Sequence, residues 1–247
     1  MRDLQLPGRS TMHGINGMAA TSHPLSTLAA IDVLRQGGNA VDAAVTACAV
    51  QCVVEPMSTG IGGDCFVLWV KGGEGEVKGL NGSGWAPKGL DADWLLERGI
   101  DAIEATTPHA VTVPGAIDAW ETMLAEHGTW GLDKALQPAI RYAEEGWAVT
   151  PRVALDWQRA EAKLRLDAPA REQYLKDDRA PKAGERYHLP KLAKTLRTVA
   201  EKGRAGFYEG WVAEDLVAHL ESKGGTHALD DFAEQRSEYV EPIATRY

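Results

Sequence analysis

Few side chains in this sequence are grouped as chemistry requires, and their spacing separates the candidates. Cys48 and Cys52 stand four apart on one helical stretch and could face a metal together. No Cys/His pair at zinc spacing accompanies them, so they read as small buried hydrophobes. Gly60, Gly62 and Gly63 could wrap a phosphate. They follow a helical stretch instead of opening one, and no Lys-Ser/Thr pair comes after them, so the phosphate-loop reading fails. They read as a helix-to-strand connection that needs positive backbone angles or close backbone approach. Asp64 stabilises that turn, and Glu55 accepts hydrogen bonds at a helix end. His23, before Pro24, reads as a residue at the start of a helix; His13 and His109 are isolated and take loop or core roles. Asn81 and Ser83 in NGSGWAPKGL carry turn chemistry, with Trp85 packed against the loop base. The eight tryptophans are dispersed and form no nucleic-acid stacking array.

The element that must position these residues runs from Gly37 to Phe66. Asn39 caps a helix there, and Asp42 places a negative charge near its positive end. Val41, Ala44, Val45, Cys48, Ala49 and Cys52 recur at helical spacing. Ala and Thr fill the opposite face, so the helix is to be covered on several sides. Pro56 stops it. Before it, residues 18–22 read as a short strand and HPLSTLAAIDVLRQGG as a helix. Ser22 is its cap, Pro24 lies in its first turn, and Leu28, Ile31 and Leu34 form its apolar stripe.

Downstream, 65–70 and 75–80 read as a hairpin around Lys71-Gly72-Gly73-Glu74, and NGSGWAPKGL as a loop. A short helix follows over 93–98. Pro114-Gly115 opens a helix over 116–127, with Ile117, Trp120, Met123 and Leu124 on one face and Gly128 closing it. Residues 132–145 read as a helix in which Pro138 makes a kink or a first turn. Helical, charged sequence runs over 150–174, then DDRAPKAGERYHLP as a loop. Further helices lie over 191–202 and from Phe207 to Glu221. Asp230-Asp231 caps a last one, and SEYVEPIATRY reads as a strand with Pro242 at an edge or bulge.

Composition excludes some functions. The chain has 247 residues, 44% hydrophobic and 25% charged, as in an ordinary globular protein. A net charge of −9 argues against nucleic acid as a partner. Three cysteines are too few for a disulfide framework. No apolar run approaches the ~20 residues of a membrane helix, so no membrane partner is expected. No secretory signal is visible, which places the protein in the cytoplasm, or in the periplasm if an upstream start is lost.

RQGGNAVDAAVTACAVQCVVEP and TGIGGDCFVLWV resemble the signature segments of the γ-glutamyltranspeptidase family. The likeness continues in TPHAVTVPGAIDAWETMLAEHGTWGLDKALQPAIRYAEEGWAVTPRVA and, more weakly, in FYEGWVAEDLVAHLESKGGTHALDDFAEQRSEYVEPIATRY. These are N-terminal nucleophile hydrolases, made as a precursor that cuts itself into two subunits. The resemblance implies an α/β fold, an αββα sandwich seen incompletely. Residues 1–247 are then one domain from the N-terminal part of the large subunit, with the remainder and the small subunit encoded elsewhere. The implied partner is that small subunit, and the implied substrate a small amide or γ-glutamyl compound. No cofactor and no metal are implied.

In such an enzyme an N-terminal Thr supplies both hydroxyl nucleophile and α-amine base. The Thr and its oxyanion donors lie on the small subunit, so no catalytic residue is expected here. The large subunit's part in the family is an Arg, in Arg-Glu-x-Ala-Pro, that pairs with the substrate α-carboxylate. Aligned on Ala86-Pro87, Ser83 stands in its place. Relatives with Gly-Ser-Gly-x-Ala-Pro carry an Arg two positions later, where this chain has Trp85. Ser83, Trp85 and Asn81 are therefore the substrate-binding candidates. The expected activity is amide hydrolysis or acyl transfer of the γ-glutamyltransferase and glutathione hydrolase kind. The alternatives are an amidohydrolase or acylase acting on another amide, such as oxamate, and a non-catalytic binding scaffold.

Overall fold

The computed structural model describes residues 11–246. Its elements are α1 (Pro24–Arg35), α2 (Ala40–Val54), β1 (Cys65–Trp69), β2 (Lys78–Gly82), α3 (Ala92–Leu96), α4 (Ala116–His127), α5 (Leu132–Ala135), α6 (Gln137–Glu145) and β3 (Trp147–Ala148). They continue as α7 (Pro151–Leu164), α8 (Ala168–Tyr174), β4 (Arg186–Tyr187), α9 (Pro190–Lys202), α10 (Ala205–Tyr208), α11 (Trp211–Ser222), α12 (Leu229–Glu234) and β5 (Glu238–Val240). The class is mixed α/β.

Helix α2 is the centre, because small residues let neighbours approach it from nearly every side. Ala49, Val50, Val53 and Val54 are fully buried. Its start is fixed locally: Asn39 Oδ1 accepts from the Val41 and Asp42 amides, and Asp42 Oδ2 accepts from the Asn39 amide. Such a cap stabilises a helix by roughly 1 kcal/mol. Ala40, Ala44 and Cys48 are the exceptions to burial. They form an exposed i, i+4 stripe that no described element covers, which corrects the expectation that Cys48 is buried. Burial does push the Cys52 thiol up to about 12, so that sulfur behaves as a hydrophobe.

Helix α1 packs on α2 through small residues. Ser26, Ala29, Ala30 and Val33 are buried, and Ser26 Oγ donates to the Ala47 carbonyl at 2.7 Å. The expected Leu28, Ile31 and Leu34 stripe is thus not the buried face: Leu28 is exposed, and Ile31 and Leu34 are half-buried at its margin. Close helix contact selects small side chains over large ones. The cap of α1 is His23, whose Nδ1 accepts from the Leu25 amide, and not Ser22, whose hydroxyl donates to Glu55. Residues 18–22 form no strand, having no pairing partner among the described residues.

The sheet is three-stranded and antiparallel in the order β1-β2-β5. Cys65 pairs with Gly82 and Trp69 with Lys78, so β2 begins later than expected and takes in Asn81 and Gly82. Val67 and Leu80 share the face that meets Ala119 and Met123 of α4. Phe66, Leu68, Asn81, Glu238 and Val240 share the other.

Helix α4 has the expected bounds, and its four apolar residues are buried. Elsewhere, expected long helices are divided. Leu136 separates α5 from α6 and puts Pro138 in a first turn, where a missing amide costs little. The 150–174 stretch breaks between Leu164 and Ala168, and the one from Phe207 is cut at Gly210. The expected loop 177–190 contains β4, paired with β3. Helix α12 is capped at Ala228, whose amide donates to Asp231 Oδ2. The expected terminal strand is confined to β5, and its last residue, Tyr247, lies outside the described residues.

Candidate functional site

Strand β2 leaves the sheet into the loop 83–90, beside the start of β1 and the start of α4. The turn is local first: Asn81 Oδ1 accepts from the Ser83 amide at 3.0 Å, an Asx turn. Remote groups then fix the loop. The Gly84 amide donates to Asp64 Oδ1 at 3.3 Å, and the Val113 amide donates to the Trp85 carbonyl at 2.9 Å. The Trp85 amide donates to Gln235 Oε1 at 3.2 Å, while Gln235 Nε2 donates to the Ser83 carbonyl at 3.4 Å. Gln235 is 1% exposed, so these bonds are made out of water.

Two glycines make the arrangement possible by lacking a side chain. A Cβ on Gly84 would lie 1.4 Å from the Val113 carbonyl oxygen, and one on Gly115 would lie 2.1 Å from that of Gly82. The loop therefore rests directly on the segment that opens α4.

Beneath it lies a buried polar junction. The Gly115 and Ala116 amides donate to the Gly63 carbonyl at 3.1 and 3.0 Å, which ties the glycine turn to the helix start. The Asp118 amide donates to Tyr208 Oη at 3.2 Å, and that hydroxyl donates to the Pro114 carbonyl at 2.6 Å. Burial holds the Tyr208 phenol well above its ordinary range, so it serves as a neutral donor. Asp118 Oδ1 accepts from Arg204 Nε at 2.7 Å and Oδ2 from the Ser237 amide at 2.6 Å. Arg204 Nη2 also donates to the Ala233 and Gln235 carbonyls at 3.0 and 2.6 Å. The carboxylate, guanidinium and phenol all find partners, as a low-dielectric interior demands, while the buried Ser237 hydroxyl has none among the described residues.

The three sequence candidates lie together but differ in freedom. Asn81 is half-buried at the end of β2, on the face of Phe66. Ser83 is half-buried in the loop. Trp85 is 57% exposed, which corrects the expectation that it packs against the loop base: its backbone is held and its indole is not. Asp64 is exposed and braces the Gly84 amide, the turn role its position suggested. Glu55 is buried and accepts from Ser22 Oγ. Burial lowers the His23 pKa against the opposing pull of Glu55. His13 is exposed in a loop, and His109 sits edge-on to Trp94.

Sequence reasoning missed Asp118, Arg204, Tyr208 and Gln235. Asp118 alone gave a signal, as an acid in the first turn of α4. Its partners are 86 and 119 residues away, beyond any local pattern. Cations around the site are already committed. Lys88 Nζ is 2.6 Å from Glu234, and Arg236 Nη1 donates to the Ala233 and Gln235 carbonyls. No group of three or more metal-binding side chains occurs among the described residues. No helix of these residues is long and apolar enough to cross a membrane.

This geometry has known counterparts. The family model for gamma-glutamyltranspeptidase matches residues 26–247. The chain is 36% identical over 240 residues to the glutathione hydrolase-like YwrD proenzyme of Bacillus subtilis, covering 95% of this chain and 44% of that one. The structure of a cephalosporin acylase from Bacillus halodurans superposes with a TM-score of 0.87 at 38% identity, over 100% of this chain and 48% of that one. The γ-glutamyltranspeptidase of Helicobacter pylori superposes with a TM-score of 0.89 at 29% identity, over 96% of this chain and 69% of that one. The chain spans about half the length of the curated relatives it matches.

Proposed function

This chain belongs to the γ-glutamyltranspeptidase family, and on that premise we propose that the protein containing it cleaves an amide bond and passes the acyl group to water or to an amine. The nucleophile is an N-terminal Thr on a small subunit released by self-cleavage. Its hydroxyl oxygen adds to the amide carbonyl while its proton passes to the Thr α-amine, whose ordinary pKa is about 8. The amine product leaves with that proton, and water or a second amine then breaks the acyl ester. No residue of 1–247 takes a catalytic role. The chain contributes the Asn81–Pro87 loop as a wall of the substrate pocket, and part of an αββα sandwich.

One feature carries this reading. The sheet is covered by α4 on one face and bare on the other, where Phe66 and Leu68 are each 70% exposed. β1 is also an edge strand among the described residues. An apolar face beside an open edge is what a packed partner sheet would cover, and the small subunit supplies that sheet.

The proenzyme carrying this chain is the object to test. Purified, it should resolve into two fragments on a denaturing gel and release nitroaniline from an acyl p-nitroanilide. Isolated 1–247 should release none. Turnover by 1–247 alone, or a processed protein that hydrolyses no amide, would refute the proposal.

A further inference from the structure

We propose that the rim formed by Asp64 and the Asn81–Pro87 loop selects an acyl group that carries an amine and no carboxylate, with Asp64 and Trp85 as its contacts. The inference rests on the reading that this loop walls the substrate pocket. The rim carries an exposed indole (Trp85), an exposed carboxylate (Asp64) and a half-buried hydroxyl (Ser83). Asp64 uses Oδ1 to brace the Gly84 amide, and Oδ2 has no partner among the described residues. Trp85 is 57% exposed. The Gly84 amide that Asp64 holds directly precedes Trp85, and a carboxylate and an indole exposed on one rim suit a cation: the ring face attracts an ammonium, and the carboxylate accepts its protons.

A substrate carboxylate would meet the opposite. The cations bordering the loop are engaged elsewhere. Arg204 and Arg236 hold the carbonyls beneath the loop, and Lys88 holds Glu234. Arg204 is also the counter-ion of the buried Asp118, so it cannot turn to a substrate without stranding that carboxylate. Nor can the rim rearrange to bring in another group. Gly84 lies against the Val113 carbonyl, and Gln235 clasps both Ser83 and Trp85.

Four p-nitroanilides separate the possibilities in the full proenzyme after processing. γ-Glutamyl carries both charges, 4-aminobutyryl only the amine, glutaryl only the carboxylate, and butyryl neither. The expected order of kcat/KM places 4-aminobutyryl about tenfold above glutaryl, a difference of ~1.4 kcal/mol. Asp64→Asn keeps an acceptor for the Gly84 amide and removes the charge, so the 4-aminobutyryl to glutaryl ratio should fall toward one. Ser83→Arg should move that ratio in favour of glutaryl. A wild-type enzyme that cleaves glutaryl as fast as 4-aminobutyryl overturns the inference and leaves the proposed function standing. Hydrolysis of none of the four overturns both. If either variant fails to fold, the wild-type order alone decides.

Discussion

Asp42 and Asp118 hold the same place in two helices, the third residue of α2 and of α4, and are satisfied in opposite ways. Asp42 is 0% exposed and Asp118 3%. Asp42 accepts from the Asn39, Thr129 and Trp130 amides and from the Thr129 hydroxyl, at 2.6–3.0 Å, and pairs with no cation among the described residues. Asp118 accepts from one amide and one guanidinium, both brought from the last quarter of the chain. The helix starts differ to match. α2 has its own cap in Asn39, whereas the first amides of α4 go to Gly63 and Tyr208. The start of α2 caps itself and in turn holds the 127–130 segment where α4 ends. The other start is the point where the glycine turn, the 83–90 loop and the C-terminal elements meet, and it forms the floor of the candidate site.

The comparison breaks most readily at the remote junction. Asp118→Ala leaves Arg204, only 17% exposed in its side chain, without its counter-ion. Removing one partner of a buried pair typically costs about 3–5 kcal/mol. Urea unfolding should show a loss of that size, and the Asp118→Ala, Arg204→Met double variant should lose less than the sum of the single losses. A loss below about 1 kcal/mol would mean that α4 is held by its apolar face and the junction adds little.

A smaller effect sharpens the other side. Burial opposes charge on Asp42, but the Thr129 hydroxyl and the Asn39, Trp130 and Thr129 amides outweigh it and hold its carboxyl below the ordinary aspartate value. A carboxyl lowered on folding stabilises the protein above its unfolded pKa, and that contribution fades as pH falls through the folded one. Asp42→Asn should therefore cost roughly 1–3 kcal/mol near neutral pH. The gap to wild type should narrow only as pH drops below about 4. A gap constant from pH 7 to pH 2 would show that the amide, and not the lost charge, causes the destabilisation.

The same contrast explains what could be read from the sequence. Asn39 and Asp42 were legible because cap and acid lie within one turn of each other. So were the bounds of α4, set by Pro114-Gly115 and Gly128, and the hairpin, set by its glycines. The burial pattern of α1 was not, because an apolar stripe chosen by size ignores that tight helix contact selects Ser26, Ala29 and Ala30. The breaks at Leu136 and Gly210, and the pairing of β3 with β4, depend on packing that no local window contains. In the candidate site, the loop was legible from its glycines and polar residues, while Ser83 and Trp85 were singled out only by alignment to the family's Ala-Pro motif. Their supports were not, since Gln235 acts across 150 residues.

Trp85 gives the finest test of how that loop is held. Its backbone makes two hydrogen bonds to remote groups, while its indole stands 57% exposed. Truncating an exposed side chain away from any packing contact usually changes stability within about 0.5 kcal/mol. Trp85→Ala should therefore leave the denaturation midpoint close to wild type. Its effect should be confined to which acyl groups the processed enzyme accepts. A loss of about 2 kcal/mol or more would instead mean that the indole packs against the loop base in solution. The rim would then be part of the scaffold, like the Asp118 junction below it, and Asp64 would face substrate without an aromatic neighbour.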